Sequence, residues 1–262
     1  MDNVRYVTSR GESISLLKPP IVINTKQFRE FAYETQNGRP SPSKEKTFAV
    51  PAALVGTAKQ RDEVVDKIIF DSEIKEYGRL YVNDWFVYGN FVGVPSVVAE
   101  TTMGVRLDWD FYVPNAEWLH ETEHQFYPNT ASGSDTLNYP FNPPYNYAAQ
   151  KQAVAQIKNT SATDADFILT FSGNADYVEF GVGDKVYKVE STVDSSETFY
   201  LNTYTREVYK IRDGLKADLF PFASDETYIF TKIPRGEQQL YWRGDYGINV
   251  TLLERRRFPP WT

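Results

Sequence analysis

Between Ala165 and Arg255 the chain repeats one pattern eight times, a short apolar or alternating run followed by a turn signal. The runs are Ala165 to Phe171, Tyr177 to Phe180, Val186 to Val189, Glu197 to Leu201, Val208 to Ile211, Tyr228 to Ile233, Gln238 to Trp242 and Asn249 to Arg255. Gly173-Asn174, Gly181, Gly183-Asp184, Asp213-Gly214, Arg235-Gly236 and Gly244-Asp245 supply the turns, because Gly, Asn and Asp tolerate the backbone that tight reversals need. No helical spacing of apolar residues interrupts the series. The pattern therefore predicts a two-layer all-β domain, a β-sandwich or jelly roll.

A boundary precedes this region. Tyr127 to Ser134 has the composition of a loop, and Asp135 to Ala149 carries Pro140, Pro143 and Pro144, which remove backbone donors and bias the residues before them toward extended geometry. Leu137, Tyr139, Phe141, Tyr145 and Tyr147 are too apolar for a solvated tether, so an extended connector packed on a neighbour is expected. The chain then divides into an N-terminal domain over 1–127, a connector over 128–149 and a C-terminal domain over 150–262. Its 262 residues give each domain enough length to bury a core.

The N-terminal region begins with short apolar clusters at positions 4–7, 13–17 and 20–23, broken by Gly11 and Pro19-Pro20, as short strands are. Thr25 to Gln36 fits both periods and is assigned to strand, and the Pro-rich, charged segment Arg39 to Lys46 to an exposed hairpin tip or mobile loop. One helix is predicted over Arg61 to Tyr77, where Val64 and Ile68, Val65 and Ile69, and Phe70 and Ile74 are four apart, with Gly78 as its left-handed stop. Gly78 to Gly89 reads as a hairpin turning at Asn83-Asp84. Strands follow over Phe91 to Ala99 and Thr101 to Val113, the latter with Val105, Leu107, Trp109 and Phe111 on one face and Arg106, Asp108, Asp110 and Tyr112 on the other. The predicted class is mainly β, a β-sandwich-like N-terminal domain with one helix and a C-terminal β-sandwich.

Composition removes several functions. The chain has no cysteine, so it has no disulfide framework and no thiolate chemistry, consistent with assembly in a reducing cytoplasm. Its first residues lack the basic and apolar run of a signal peptide, and no apolar stretch approaches a membrane span, so no membrane partner is expected. The formal charge is -7, with 14 basic against 15 acidic residues in positions 1–113 and 14 against 20 in positions 114–262, so neither half has the basic excess of a surface that grips nucleic acid. Aromatic residues, 15% of the chain, favour half-buried pleated surfaces and protein contacts.

The sharpest catalytic motif is His120-Glu121-Thr122-Glu123-His124, an H-E-x-x-H match that on a helix would place two zinc ligands on one face with Glu121 as general base. It lies between Pro114 and Pro128, and the chain has no third histidine, so a polar turn after the last strand is the expected form. Asp108 with Asp110, and Glu179 with Glu190, are acid pairs that would suit glycoside hydrolysis only if they faced one groove. Gly181-Val182-Gly183-Asp184 is a strand-to-strand turn, not a phosphate loop. Tyr200, Tyr204 and Trp242, if exposed, would form a sugar-stacking platform on the second domain. No catalytic, cofactor-binding or metal-binding residue is assigned, no cofactor is expected, and the chain is read as a non-enzyme.

Several segments taken in order resemble the distal tail (Dit) proteins of bacteriophages with long, non-contractile tails. They are the helix followed by Gly78-Arg-Leu-Tyr-Val-Asn-Asp, the strand Leu107-Asp-Trp-Asp-Phe-Tyr-Val-Pro-Asn, the connector Thr136-Leu-Asn-Tyr-Pro-Phe-Asn-Pro-Pro-Tyr-Asn-Tyr, and Phe171-Ser-Gly-Asn-Ala-Asp through Tyr187-Lys-Val. Glu197-Thr-Phe-Tyr-Leu-Asn-Thr-Tyr-Thr-Arg-Glu-Val-Tyr and Ile233-Pro-Arg-Gly-Glu-Gln complete the set. The resemblance implies a ring-forming belt domain that assembles as a homo-hexamer and a galectin-like sandwich on its outside. It implies a virion tail-tip hub, made in the bacterial host cytoplasm, joining the tail tube protein to tail-tip or tail-associated proteins and the tape measure protein, with a receptor-binding protein as an optional partner. DNA would cross the lumen without specific contact. The alternative is a carbohydrate-binding module contacting host glycans. The basic, aromatic end Arg255 to Thr262 would dock on a partner or cover the sandwich's end.

Overall fold

The computed structural model describes residues 3–25, 34–36, 39–41, 45–102, 104–128, 152–225 and 228–256. The connector from Asp135 to Ala149 lies outside the described residues. The chain forms two compact units, one of residues 1–120 with 255–262 and one of residues 121–254.

In the first unit β1 (Val4–Val7) pairs with β2 (Ser13–Ser15), β3 (Leu17–Lys18) with β4 (Ile21–Ile23), and β5 (Glu34–Gln36) with β6 (Arg39–Ser41). β7 (Lys46–Val55), α1 (Ala58–Glu73), β8 (Gly78–Val82), β9 (Trp85–Thr101), β10 (Gly104–Val113) and β11 (Trp118–Phe126) follow. They build two antiparallel sheets, β2-β1-β8-β9-β11 and β3-β4-β7-β10-β9. β9, 17 residues long, serves both, its first half in one sheet and its second half in the other. The unit's core is aromatic: Tyr6, Phe91, Trp109, Phe111 and Trp118 are buried, with Phe91 and Phe111 edge to face at 4.9 Å.

α1 starts at Ala58, three residues before the predicted start, because Thr57 caps it: the Thr57 hydroxyl accepts from the Gln60 amide, and Gln60 Oε1 accepts from the Thr57 amide. The helix ends at Glu73, with Lys75 at φ +58° just beyond its cap as the left-handed stop in place of Gly78. Gly78 lies in β8, where an added Cβ would stand 2.2 Å from the Tyr6 hydroxyl. Val64, Ile68 and Asp71 form the buried face of α1. The Asp71 carboxylate accepts from Tyr6 Oη at 2.6 Å, from Ser9 Oγ at 2.7 Å and from the Ser9 amide at 3.1 Å, so it ties the helix to β1 and to the turn after it. Burial, reinforced by the Asp71 carboxylate, raises the Tyr6 hydroxyl far above the usual phenol range. Asn90 closes the neighbouring turn by donating to the Glu76 carbonyl and accepting from the Gly78 amide.

The second unit is a sandwich. β12 (Gln152–Asn159), β13 (Asp166–Ser172), β14 (Val178–Val182), β15 (Lys185–Val189), β16 (Thr198–Asn202), β17 (Glu207–Arg212), β18 (Leu215–Asp218), β19 (Gly236–Arg243) and β20 (Ile248–Arg256) form sheets β18-β17-β16-β13-β20 and β12-β19-β14-β15. Phe167, Phe171, Phe180, Tyr187, Phe199 and Trp242 fill the space between them. Seven of the eight predicted strands are present. The exception is Tyr228 to Ile233, where Thr231 bonds back to the Tyr228 carbonyl, the Tyr187 hydroxyl takes the Thr231 carbonyl and Lys185 takes that of Lys232, leaving only Ile233 bridged to Ala165. β12 and β18 were not predicted.

Candidate assembly surfaces

The strand β9 carries the most exposed large apolar side chains among the described residues of the first unit. Gly93, at φ +74°, and Pro95 interrupt its register with β10, which passes from Asp108↔Ser96 to Asp110↔Val92. This is a bulge, and a proline inside a long strand belongs where one edge carries no ladder. β10 occupies one side of residues 90–101, and no other described strand pairs with them. Ser96 to Glu100 are all exposed, so both faces of the strand meet solvent as well as its edge. Val97 is 64% and Val98 61% exposed. A long exposed edge bearing adjacent valines templates pairing with another chain unless something covers it. Beside it lies a depression of about 280 Å³ lined by Asn24, Pro51, Val98, Arg106 and Asp108, so the apolar edge has charged neighbours of both signs.

The second unit exposes a different surface. Phe220 is 56%, Phe222 50% and Tyr228 60% exposed, and the first and last of these pack on the buried Phe230, Phe220 stacked at 5.8 Å and Tyr228 edge-on at 5.8 Å. Phe222 to Ser224 runs along β15, with Glu190 N donating to the Phe222 carbonyl, Ser224 N donating to the Lys188 carbonyl and Ala223 bridged to Val189. This segment caps the sheet edge at β15, and its rings remain outside as an apolar patch of the kind that marks contact surfaces.

The residues singled out for chemistry are dispersed. His120, Glu121 and His124 lie on β11, an extended strand and not a polar turn, where residues four apart are separated by about 13 Å. Two histidines so placed cannot share one zinc ion with bonds near 2 Å. The His120 ring stacks on Trp85 at 5.1 Å, and that of His124 lies parallel to Phe126 at 6.1 Å. Asp108 and Asp110 are exposed on the polar face of β10, as expected of a solvated strand face. Glu179 is opposite Lys188 in the β14–β15 ladder, and Glu190 pairs with the same lysine at 2.9 Å. Glu190 is therefore engaged by a cation that also stands opposite Glu179 in the ladder, an arrangement that builds no acid-base pair. Gly183-Asp184 is the tight β14–β15 turn.

The sugar-stacking platform is corrected. Trp242 is 1% exposed and its indole donates to the Tyr246 carbonyl at 2.8 Å, so it belongs to the core. Tyr200 is half-buried, its ring stacked on Tyr209 at 4.6 Å and its hydroxyl accepting from Asn202. Arg39–Ser41 is strand paired with Glu34–Gln36, and not a hairpin tip or mobile loop. Arg255 and Arg256 are held on the first unit, Arg255 by Glu117 at 2.9 Å and Arg256 over the Trp85 ring at 4.4 Å. Reasoning from sequence missed Val97-Val98 and Phe220-Pro-Phe222. The signal at the first was a proline and a glycine two residues apart within an apolar run.

No protein-family model matches the chain. No curated protein matches it by sequence. Solved structures do match over nearly its whole length. Dit (gp 19.1) of phage SPP1, described as a paradigm of hub adsorption apparatus in Gram-positive infecting phages, aligns with a TM-score of 0.52 at 12% identity, covering 97% of this chain and 98% of that one. A chain of the phage p2 baseplate in its activated conformation with Sr aligns with a TM-score of 0.63 at 11% identity, covering 98% and 99%. A chain of the phage P2 baseplate with Ca aligns at 0.58 and 10% identity. The chain thus has a mainly β, Dit-like fold over nearly its whole length.

Proposed function

We propose that this protein is a structural hub of a phage tail tip, in which the first unit closes a homo-hexameric ring and the second is displayed around it. The observation that carries the proposal is the breadth of the likeness: both units, in order, align with hub and baseplate chains over 97–98% of this chain. A single sandwich shared by chance would not extend through a second unit with a different sheet plan.

The surfaces suit such a role. The open edge of β9 and its exposed valines are the contact through which one subunit pairs with the next. The aromatic patch of Phe220, Phe222 and Tyr228 receives a peripheral tail-tip or baseplate protein. The ring joins the tail tube and tape measure proteins on one side to tail-associated and receptor-binding proteins on the other, and DNA crosses a lumen whose near balance of charge does not hold it. The role is structural and not catalytic, in keeping with the dispersal of the acid and histidine pairs. Negative-stain images of the purified chain test this: six-lobed rings with an open centre are expected, and a field of single particles with no closed rings at high protein concentration would count against ring closure by this chain alone.

A further inference from the structure

A closed ring repeats one contact, and in that contact each subunit offers two different surfaces, one to each neighbour. The edge of β9 can therefore be only one half of it. Paired with its own copy about a two-fold axis, that edge would make a dimer and stop. The sheet to which the distal half of β9 belongs supplies the other half. Its order is β3-β4-β7-β10-β9, and every ladder in it is antiparallel. β3 ends this sheet on the side away from β9, and the end is longer than β3 itself. Ser13–Ser15 pair with β1, the Leu16 amide donates to the Val4 carbonyl, and Leu17–Lys18 pair with β4. Ser13 to Lys18 is thus one continuous run held by β1 and then by β4, and no described strand pairs with its outer side.

The two ends carry complementary groups. Residues directly opposite one another in a ladder share a face. One such row crosses the whole sheet through Lys18, Ile21, Leu54, Val105 and Glu100, so a cation stands at one end and an anion at the other, on the same face. Both are exposed, and neither has a hydrogen-bond or ion-pair partner among the described residues. The adjacent row ends in the half-buried Leu17 on one side and the exposed Ala99 on the other. Residues 90–101 hold no basic residue, so a second β9 has nothing with which to answer Glu100, whereas the β3 end does. Strand direction agrees as well. A sheet of five antiparallel strands begins and ends in the same direction, so cyclic repetition lays β9 of one subunit parallel to β3 of the next.

We propose that the ring contact joins unlike edges: the outer edge of β9 in one subunit adds to the Ser13–Lys18 edge of a second copy, with Glu100 of the first paired to Lys18 of the second. This contact rests on the hexameric ring proposed above, and the test separates the two. Light scattering during size exclusion, over a series of protein concentrations, is made on the intact chain and its variants. Lys18→Glu and Glu100→Lys should each raise the concentration at half assembly about tenfold or more, and the two together should restore it. The chain has no cysteine, so the double variant Lys18→Cys with Glu100→Cys reports the contact covalently. Mild oxidation should give a ladder of up to six linked chains, and neither single variant should cross-link. Restoration by the charge exchange decides the matter if the cysteine pair lies outside disulfide reach. Rings from the unsubstituted chain, with no restoration and no ladder, would overturn this contact and leave the ring standing. A covalent dimer from Glu100→Cys alone would show β9 meeting β9 and overturn it too. A monomer at every concentration, with no ladder, would overturn the ring and the contact together.

Discussion

Two sheet edges, one in each unit, are finished in opposite ways. In the second, Phe222–Ser224 lies along β15 and removes its free edge, at the cost of leaving three aromatic rings in solvent. In the first, no described strand covers the outer edge of the distal half of β9, and Ser96 to Glu100 are exposed. A covered edge resists strand addition, and an open one invites it. Under the proposed hub role, this difference would give repeated self-pairing to the first unit and side-chain recognition to the second, within one chain of two β-sandwich-like bodies.

The largest single effect that would sharpen this division is Trp242→Ala, which empties a core position in the second unit and strands the Tyr246 carbonyl. It should cost about 4 kcal/mol, read as a lower denaturant midpoint of that unit, and should leave self-association through β9 unchanged. Asp71→Ala should cost the first unit about 3 kcal/mol, since it leaves the buried Tyr6 hydroxyl and the Ser9 groups without their acceptor. Asp71→Asn, which keeps one acceptor oxygen, should recover part of the loss in the same denaturation experiment.

Alkaline pH should separate the units next. Burial raises the hydroxyls of Tyr6 in the first unit and of Tyr187 and Tyr246 in the second. The folded state keeps these phenols neutral, so their stabilisation is complete below about pH 10 and falls above it by up to about 1.4 kcal/mol per pH unit for each. The second unit, with two such groups, should unfold first as pH rises, followed by circular dichroism and phenolate absorbance. The smallest effect is expected in acid. The Asp194 amide and then Lys210 hold the Glu197 carboxyl below its usual value, so its contribution is present above about pH 4.3 and fades as pH falls through the lowered value. Glu197→Gln should flatten that acid limb.

The sequence marks alternation and turn chemistry strongly, which is why β10, the β8–β9 hairpin and most of the second sandwich were legible. β18 was not, because Leu215 to Asp218 is exposed throughout and is held by its ladder with β17 alone, with no apolar period to reveal it. Tyr228 to Ile233 has a strand's composition, yet side chains from β15 take its carbonyls. The start of α1 depended on the capping pair Thr57 and Gln60, which lies ahead of the apolar period. The surfaces were the least legible part. Exposure of Val97 follows from which edge of β9 is left over, and burial of Trp242 from which sheet it faces, and both are properties of pairing between distant segments.

The most direct test of the account is the solution mass of the intact chain by light scattering during size exclusion, beside the double variant Val97→Lys and Val98→Lys. The unsubstituted chain should give about 180 kDa, six times its 30.1 kDa, and the variant, with two charges on the open edge, a folded species near 30.1 kDa. Equal masses for the two proteins would contradict the claim that the β9 edge joins the subunits.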